Sequence, residues 1–167
     1  LIEKDNETIM GDYSSGHITT EDAREIVLSL DEALKSEGVR FYPGTSYRHL
    51  MVWKDGAKAV KTTPPHDISD KPIAPWLPKG DRAEKLQRLM ELSWAVMKEH
   101  PTNKKRIAAG KKPATSIWLW GQGSAPAMPA LRDRFGKEGA IISAVDLMKG
   151  IGIYAGLEVI NVPGSTG

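Results

Sequence analysis

The sequence predicts an α/β fold, with α+β as the alternative: a mixed sheet with an antiparallel hairpin region and a parallel β-α-β-α-β C-terminal part, helices packed on the sheet. Three observations predict it. Residues 20–36 and 81–100 carry apolar side chains at helical spacing. Residues 39–61 change to the alternating period of half-buried strands. The last third sets short apolar runs between helical stretches, the order that favours parallel pairing through crossovers.

Taken in order, residues 1–10 suit one short strand. Asp12-Tyr13-Ser14-Ser15-Gly16-His17-Ile18-Thr19 then gathers an acid, hydroxyls, a glycine and a histidine directly before a helix. Free N–H groups and the positive dipole end at such a place favour an anion, so a site for an acidic small molecule is the first functional hypothesis. The plainer account is a polar turn and N-cap. In the helix itself Ala23, Ile26, Val27, Leu30 and Leu34 form the apolar stripe, Thr19 with Asp22 resembles a capping box, and Gly38 ends it.

In the next block Val39, Phe41, Tyr47, His49, Met51 and Trp53 alternate, Pro43-Gly44 is a turn and Asp55-Gly56 a hairpin signal before residues 57–60. Three antiparallel strands are expected, with Arg48 and His49 in the middle one, facing opposite ways. Five prolines, Pro64, Pro65, Pro72, Pro75 and Pro78, then argue for an ordered loop, and His66-Asp67 lies within it. Asp81 with Glu84 caps a second helix, striped by Leu86, Leu89, Met90, Ser93 and Met97, with Trp94 and the methionines expected in the core. The helix stops at His100-Pro101, and a short helical turn follows through Asn103 and Arg106 to Gly110.

In the final third, residues 116–120, 140–143 and 157–162 read as buried strands, with helical stretches at 129–135 and 145–155. Gly121-Gln122-Gly123 follows the first of these strands, where parallel sheets form their binding crevice, but it lacks the lysine and hydroxyl of a P-loop.

Composition narrows the function. With 167 residues the chain is long enough for a real core and reads as one domain, or at most one and a half. A net charge of +2 gives no reason to expect a nucleic-acid partner, and the basic run from Lys104-Lys105-Arg106 to Lys111-Lys112 reads as a solvated face. The absence of cysteine removes disulfides, thiolate zinc sites and a cysteine nucleophile, and suits the cytoplasm. No apolar run is long enough to span a membrane, and the N-terminus is no signal peptide. The chain opens on Leu1-Ile2-Glu3 without an initiator methionine and closes on Val162-Pro163-Gly164-Ser165-Thr166-Gly167, so a piece of a longer protein is expected.

Five words of this sequence resemble, in order, the archaeal-type cofactor-independent phosphoglycerate mutases of the alkaline phosphatase superfamily: the stretch from Asp12 to Glu21, Tyr47-Arg48-His49, Pro65-His66-Asp67-Ile68, Ile117-Trp118-Leu119-Trp120-Gly121-Gln122-Gly123, and Ser143-Ala144-Val145-Asp146-Leu147-Met148-Lys149-Gly150-Ile151. The resemblance implies a metal-bearing phosphatase-like domain interrupted by an inserted domain that covers the active site, and this chain looks like the insert, with residues 157–167 as hinge. Two divalent metal ions (Mn, Mg or Zn) and the nucleophilic serine are implied for the missing phosphatase-like domain, and no cofactor for this chain, where no metal ligands are expected. The implied substrate is a small phosphorylated acid, 2- or 3-phosphoglycerate. Such a site must clamp a carboxylate and a phosphoryl group, which suits guanidinium, and move protons, which suits Asp and His.

Arg48 is accordingly the first candidate clamp and Arg106 the second, with Asn103, Gln122 and Lys149 as further binding candidates. His17 with Asp12, then Asp67 with His66, are the acid–base candidates. The fragment alone is expected to be catalytically silent. The rival readings are a related phosphotransferase, phosphohydrolase or small-molecule kinase carrying the same insert, and a stand-alone binding module.

Overall fold

The computed structural model describes residues 1–56 and 59–164. The chain divides into two compact units, Leu1–Gly123 and Ser124–Gly167. It is a mixed α/β structure, but its strands form four separate two-stranded sheets instead of one mixed sheet.

The first unit opens with a hairpin, β1 (Ile2–Lys4) against β2 (Glu7–Ile9), in place of the single expected strand. Asp5 and Asn6 both take positive φ, 52° and 63°, as a two-residue hairpin loop requires and as short Asx side chains tolerate. Helix α1 (Thr20–Leu34) starts as expected: Thr19 caps it by accepting from the Asp22 N–H at 3.2 Å. Its stripe Ala23, Ile26, Val27, Leu30 and Leu34 is buried, and a short 3₁₀ turn ends at Gly38, left-handed with φ 72°.

Strands β3 (Val39–Pro43) and β4 (His49–Trp53) pair antiparallel and lay Val39 and Phe41 on the same core as α1. The expected three-stranded arrangement is corrected here. β5 (Val60–Lys61) pairs with β6 (Lys79–Gly80), not with β4. Ala57 and Lys58, where the third strand was expected to begin, lie outside the described residues. Arg48 is also not in a strand: its N–H donates to Thr45 O at 3.1 Å within the turn that precedes β4.

Between β5 and β6 the proline-rich loop is ordered by two 3₁₀ turns, Pro65–Ile68 and Ala74–Trp76, each with proline in its first turn, where a missing N–H costs nothing. Ile68 and Ile73 bury with Met10 in a second small cluster. Helix α2 (Ala83–Lys98) buries Leu86, Leu89, Met90, Ser93 and Met97 as read. Its cap differs, for left-handed Arg82 (φ 53°) occupies the N-cap with no side-chain hydrogen bond, displacing the expected Asp81–Glu84 arrangement. Trp94 is 41% exposed and not core; its Nε1–H donates to Ser116 Oγ at 2.8 Å. In α3 (Pro101–Ala108) the cap is His100, whose Nδ1 accepts from the Thr102 N–H at 3.2 Å.

Residues 116–120, expected as a strand, have no strand partner among the described residues. Side chains supply hydrogen bonds that a sheet neighbour would otherwise give: Ser93 Oγ accepts from the Ile117 N–H at 3.1 Å, and a few residues earlier Asn103 binds both the N–H and C=O of Ala114. Ile117 and Leu119 pack on the main core and Trp118 on the second cluster, so the alternation of the run is real although the sheet is not.

The second unit is a β-α-β motif preceded by the short α4 (Leu131–Phe135). β7 (Ala140–Ile142) and β8 (Glu158–Ile160) pair in parallel, joined through α5 (Asp146–Tyr154). The parallel expectation therefore holds for its last two strands, and the three-strand version is corrected. Among the described residues no helix is long and apolar enough to cross a membrane.

Candidate functional site

The stretch ahead of α1 forms a tight turn with unusual backbone. Ser15, Gly16 and His17 take φ of 50°, 67° and 50°, three left-handed residues in a row, two of them not glycine. Each non-glycine residue there costs about 1–2 kcal/mol, a strain that persists only when surrounding contacts over-determine the conformation.

Asp12 is the centre of those contacts. Its carboxylate accepts from the Ser14 N–H (2.9 Å), Ser14 Oγ (2.7 Å), the Gly16 N–H (3.1 Å) and Lys112 Nζ (2.8 Å). Desolvation pushes its carboxyl up, but the Lys112 ammonium, the Ser14 hydroxyl and the two backbone N–H groups outweigh it and hold the group well below the usual carboxylate range. A carboxylate so held accepts hydrogen bonds and does not shuttle protons near neutral pH. Asp12 organises the turn, and His17, its partner candidate in this word, is exposed with its backbone N–H donating to Ser14 Oγ at 3.2 Å.

The anion hypothesis for the N-terminus of α1 meets competition from the chain itself. Thr19 takes the Asp22 N–H, and Glu21 and Asp22 supply negative charge in the first turn.

The structure brings four of the five resembling words together through a chain of rings. Tyr13, beside Asp12, lies edge-on to Tyr47 with centroids 5.6 Å apart, and to His66 at 6.3 Å. His66 in turn meets Trp120 edge-on at 5.4 Å. At the far end the Arg48 guanidinium sits 4.4 Å over the Tyr47 ring. Such contacts favour T-shaped pairs and a cation over a ring face by about 0.5–1.5 kcal/mol each. Arg48 is exposed, as are Tyr13 (42%) and Trp120 (49%), so this ridge faces solvent.

Beside it, His66 Nε2 and Asp67 Oδ1 are 3.8 Å apart, with both side chains exposed. His49 Nδ1 accepts from the Gly44 N–H at 3.2 Å, and desolvation lowers the imidazole to about 4, which makes it neutral at physiological pH.

The remaining binding candidates are committed within the fold. Arg106 is 3% exposed and donates from Nη1 to Asp22 (2.7 Å), from Nη2 to Ser15 O (2.7 Å) and from Nε to Lys112 O (3.0 Å). Asn103 is 2% exposed and donates to Met97 O at 2.8 Å as well as binding Ala114. The Gln122 amide bonds Val60 O and the Thr62 hydroxyl. These three spend those donors on the fold. Lys149 belongs to the second unit, where Nζ donates to Asn161 Oδ1 at 3.0 Å.

Sequence reasoning passed over Tyr13, Tyr47 and Trp120 as site members, although each lies inside a quoted word, and it read Lys112 as solvated. No local signal links Lys112 to Asp12 across 100 positions.

A family model described as 2,3-bisphosphoglycerate-independent phosphoglycerate mutase matches residues 1–103. Among curated relatives, the 2,3-bisphosphoglycerate-independent phosphoglycerate mutase of Methanosarcina acetivorans is 53% identical over 157 residues, covering 93% of this chain and 40% of the relative. That of Methanothrix thermoacetophila is 53% identical over 159 residues, covering 95% and 40%. The chain thus spans about 40% of the length of these relatives. Among solved structures, the cofactor-independent phosphoglycerate mutase from Thermoplasma acidophilum matches with a TM-score of 0.55 at 22% identity, over 84% of this chain and 40% of that one. PH0037 protein from Pyrococcus horikoshii matches with a TM-score of 0.52 at 21% identity, over 90% and 38%. These two likenesses concern the fold.

Proposed function

Since this chain belongs to the 2,3-bisphosphoglycerate-independent phosphoglycerate mutase family, we propose that it is the substrate-covering insert of a longer mutase that interconverts 2- and 3-phosphoglycerate. The observation that carries this reading is the ring chain Tyr47–Tyr13–His66–Trp120, which gathers the family-like words into one exposed ridge with Arg48 at its end.

Arg48 is the clamp of this proposal. Its guanidinium carbon lies 4.4 Å from the centre of the Tyr47 ring, and a guanidinium can meet a carboxylate or phosphate in two parallel hydrogen bonds. His17, and His66 with Asp67, are the groups placed to take a proton from one glycerate hydroxyl and return it to the other. Asp12 serves them indirectly, through the turn it organises.

Among the described residues no group of three or more His, Asp or Glu side chains could hold a metal ion. The proposal assigns the two divalent ions that the resemblance implies, with the nucleophile, to the remainder of the longer protein. The hinge of the proposal starts after β8, at Asn161, because residues 158–160 are paired in the sheet; Ser165, Thr166 and Gly167 of that segment lie outside the described residues. The cytoplasm is its proposed compartment, as for a glycolytic enzyme without cysteine.

The test uses the full-length protein. Arg48→Ala should lower kcat/KM by about 10²–10³-fold, the usual loss when a preorganised donor to developing charge is removed, with the thermal midpoint unchanged. Near wild-type activity would exclude Arg48. Assays with several phosphorylated acids distinguish a mutase from a relative acting on another ester.

A further inference from the structure

The left-handed turn at Ser15-Gly16-His17 needs a holder outside its own sequence. The Asp12 bonds to Ser14 and Gly16 are made within the loop and would travel with it. Attachment to the scaffold comes on one side from Ile18, buried in the main core with its carbonyl accepting from Ser46 Oγ at 2.6 Å, and on the other from residues 106 and 112. Lys112 Nζ reaches Asp12 Oδ2 at 2.8 Å, and its aliphatic stem runs beside Gly16, where an added Cβ would make ordinary van der Waals contact with Lys112 Cβ, Cγ and Cδ at 3.4, 3.6 and 3.7 Å. The Lys112 carbonyl accepts from Arg106 Nε at 3.0 Å, and Arg106 also grips Ser15 O. One lysine therefore binds the turn by charge, carries its stem alongside it, and is itself fixed from behind.

We propose that Lys112 is a positioning residue, whose ammonium and stem hold Ser15-Gly16-His17 left-handed and so fix the direction of the His17 imidazole. Its importance to catalysis rests on the reading that His17 belongs to the proton-transfer site; its effect on the turn does not. The simpler alternative is a solvated ion pair, for the Lys112 side chain is 65% exposed, and such pairs contribute little to stability. The two accounts differ at His17.

The experiment compares Lys112→Ala, which removes charge and stem, Lys112→Met, which keeps the stem, and Lys112→Arg, which keeps both. In the isotope-labelled chain, NMR follows the His17 ring signals and exchange of the Gly16 amide, which the Asp12 bond protects. Lys112→Ala should shift or broaden the His17 ring signals and speed Gly16 exchange about tenfold or more. Lys112→Met should fall between, and Lys112→Arg should restore the wild-type spectrum. In the full-length enzyme Lys112→Ala should lower kcat about 10- to 100-fold with little change in KM, as misplacing a catalytic group does.

Unchanged His17 signals and Gly16 exchange in Lys112→Ala would overturn the proposal. If that variant does not fold, Lys112→Met decides on the same criteria, and unfolding of both would also overturn it by making the role one of bulk stability. Near wild-type activity in His17→Ala would instead refute the site reading, leaving the NMR comparison to judge Lys112.

Discussion

Arg106 offers the sharpest test of how the first unit is held together. The guanidinium is 3% exposed and joins α3 to α1 through Asp22, to the His17 turn through Ser15 O and to the following chain through Lys112 O. Replacing it with methionine keeps much of the stem volume but leaves three acceptors without their donor. The Asp22 side chain is 33% exposed and regains water in part, whereas removing one partner of a fully buried pair costs about 3–5 kcal/mol. The two carbonyls add losses of about 1–3 kcal/mol each where water cannot reach them. Because the turn is at the surface, partial rehydration keeps the expected sum at about 3–5 kcal/mol. At about 2–4 °C per kcal/mol for a domain of this size, the midpoint should fall by roughly 6–20 °C.

All five tryptophans lie in the first unit, so their fluorescence during thermal or urea unfolding reports it directly. Lys104→Ala, which breaks the exposed pair with Glu99, is the control and should leave the midpoint in place. An Arg106→Met loss below about 1 kcal/mol would refute the reasoning, since it would mean that the three bonds are replaced by water at no cost. A double-mutant cycle with Asp22→Asn should then show a coupling of about 0.5–3 kcal/mol, its absence pointing to the carbonyl bonds as the main contribution.

Three further outcomes are expected. Leu30, fully buried in the main core, should cost about 2–5 kcal/mol on Leu30→Ala in urea titration, depending on how far α2 and β3 close the gap. Asp12 contributes stability above its unfolded-state pKa of about 4, which is lost as pH falls below that towards its depressed folded value, so Asp12→Asn should flatten the decline in urea midpoint between about pH 4 and pH 2. At Gly152 on α5 an added Cβ would lie 2.4 Å from Ile141 Cγ2, so Gly152→Ala should force the helix off β7 and destabilise the second unit by about 1–3 kcal/mol in hydrogen exchange, despite alanine's better helix propensity.

What could be read in the sequence was what neighbouring residues decide. The Thr19 cap, the α1 and α2 stripes, the Gly38 stop and the β3 alternation all depend on residues within a turn or two of one another. The errors came where distant contacts overruled a local rule. Asp5-Asn6 was passed over as a turn, and left-handed Arg82 at the α2 N-cap coincides with its guanidinium reaching Asp55 O at 2.8 Å, a partner with no sequence mark. The motifs were visible as words, but their convergence was not, since the ring contacts among residues 13, 47, 66 and 120 depend on how the proline-rich loop folds back.

The candidate side chains that bind backbone within the fold share one physical cause. Arg and Asn have the same donors whether they hold a substrate or a backbone, and residue type alone does not say which. What decides is the local supply of unpaired main-chain groups, because buried N–H and C=O must find partners somewhere. Residues 111–123 have no regular structure, and they run across the main core with no sheet neighbour among the described residues. Ser93, Asn103 and Arg106 stand beside that segment and bind its backbone at Ile117, Ala114 and Lys112. Around Arg48 that demand is met without it: its own N–H donates to Thr45 O, the Gly44 N–H to His49 Nδ1 and the Ser46 N–H to Thr20 Oγ1, and the guanidinium is left over a ring, exposed. On this argument a polar side chain whose neighbouring backbone groups are already partnered is the better ligand candidate, and one beside a long stretch without regular structure is the better staple.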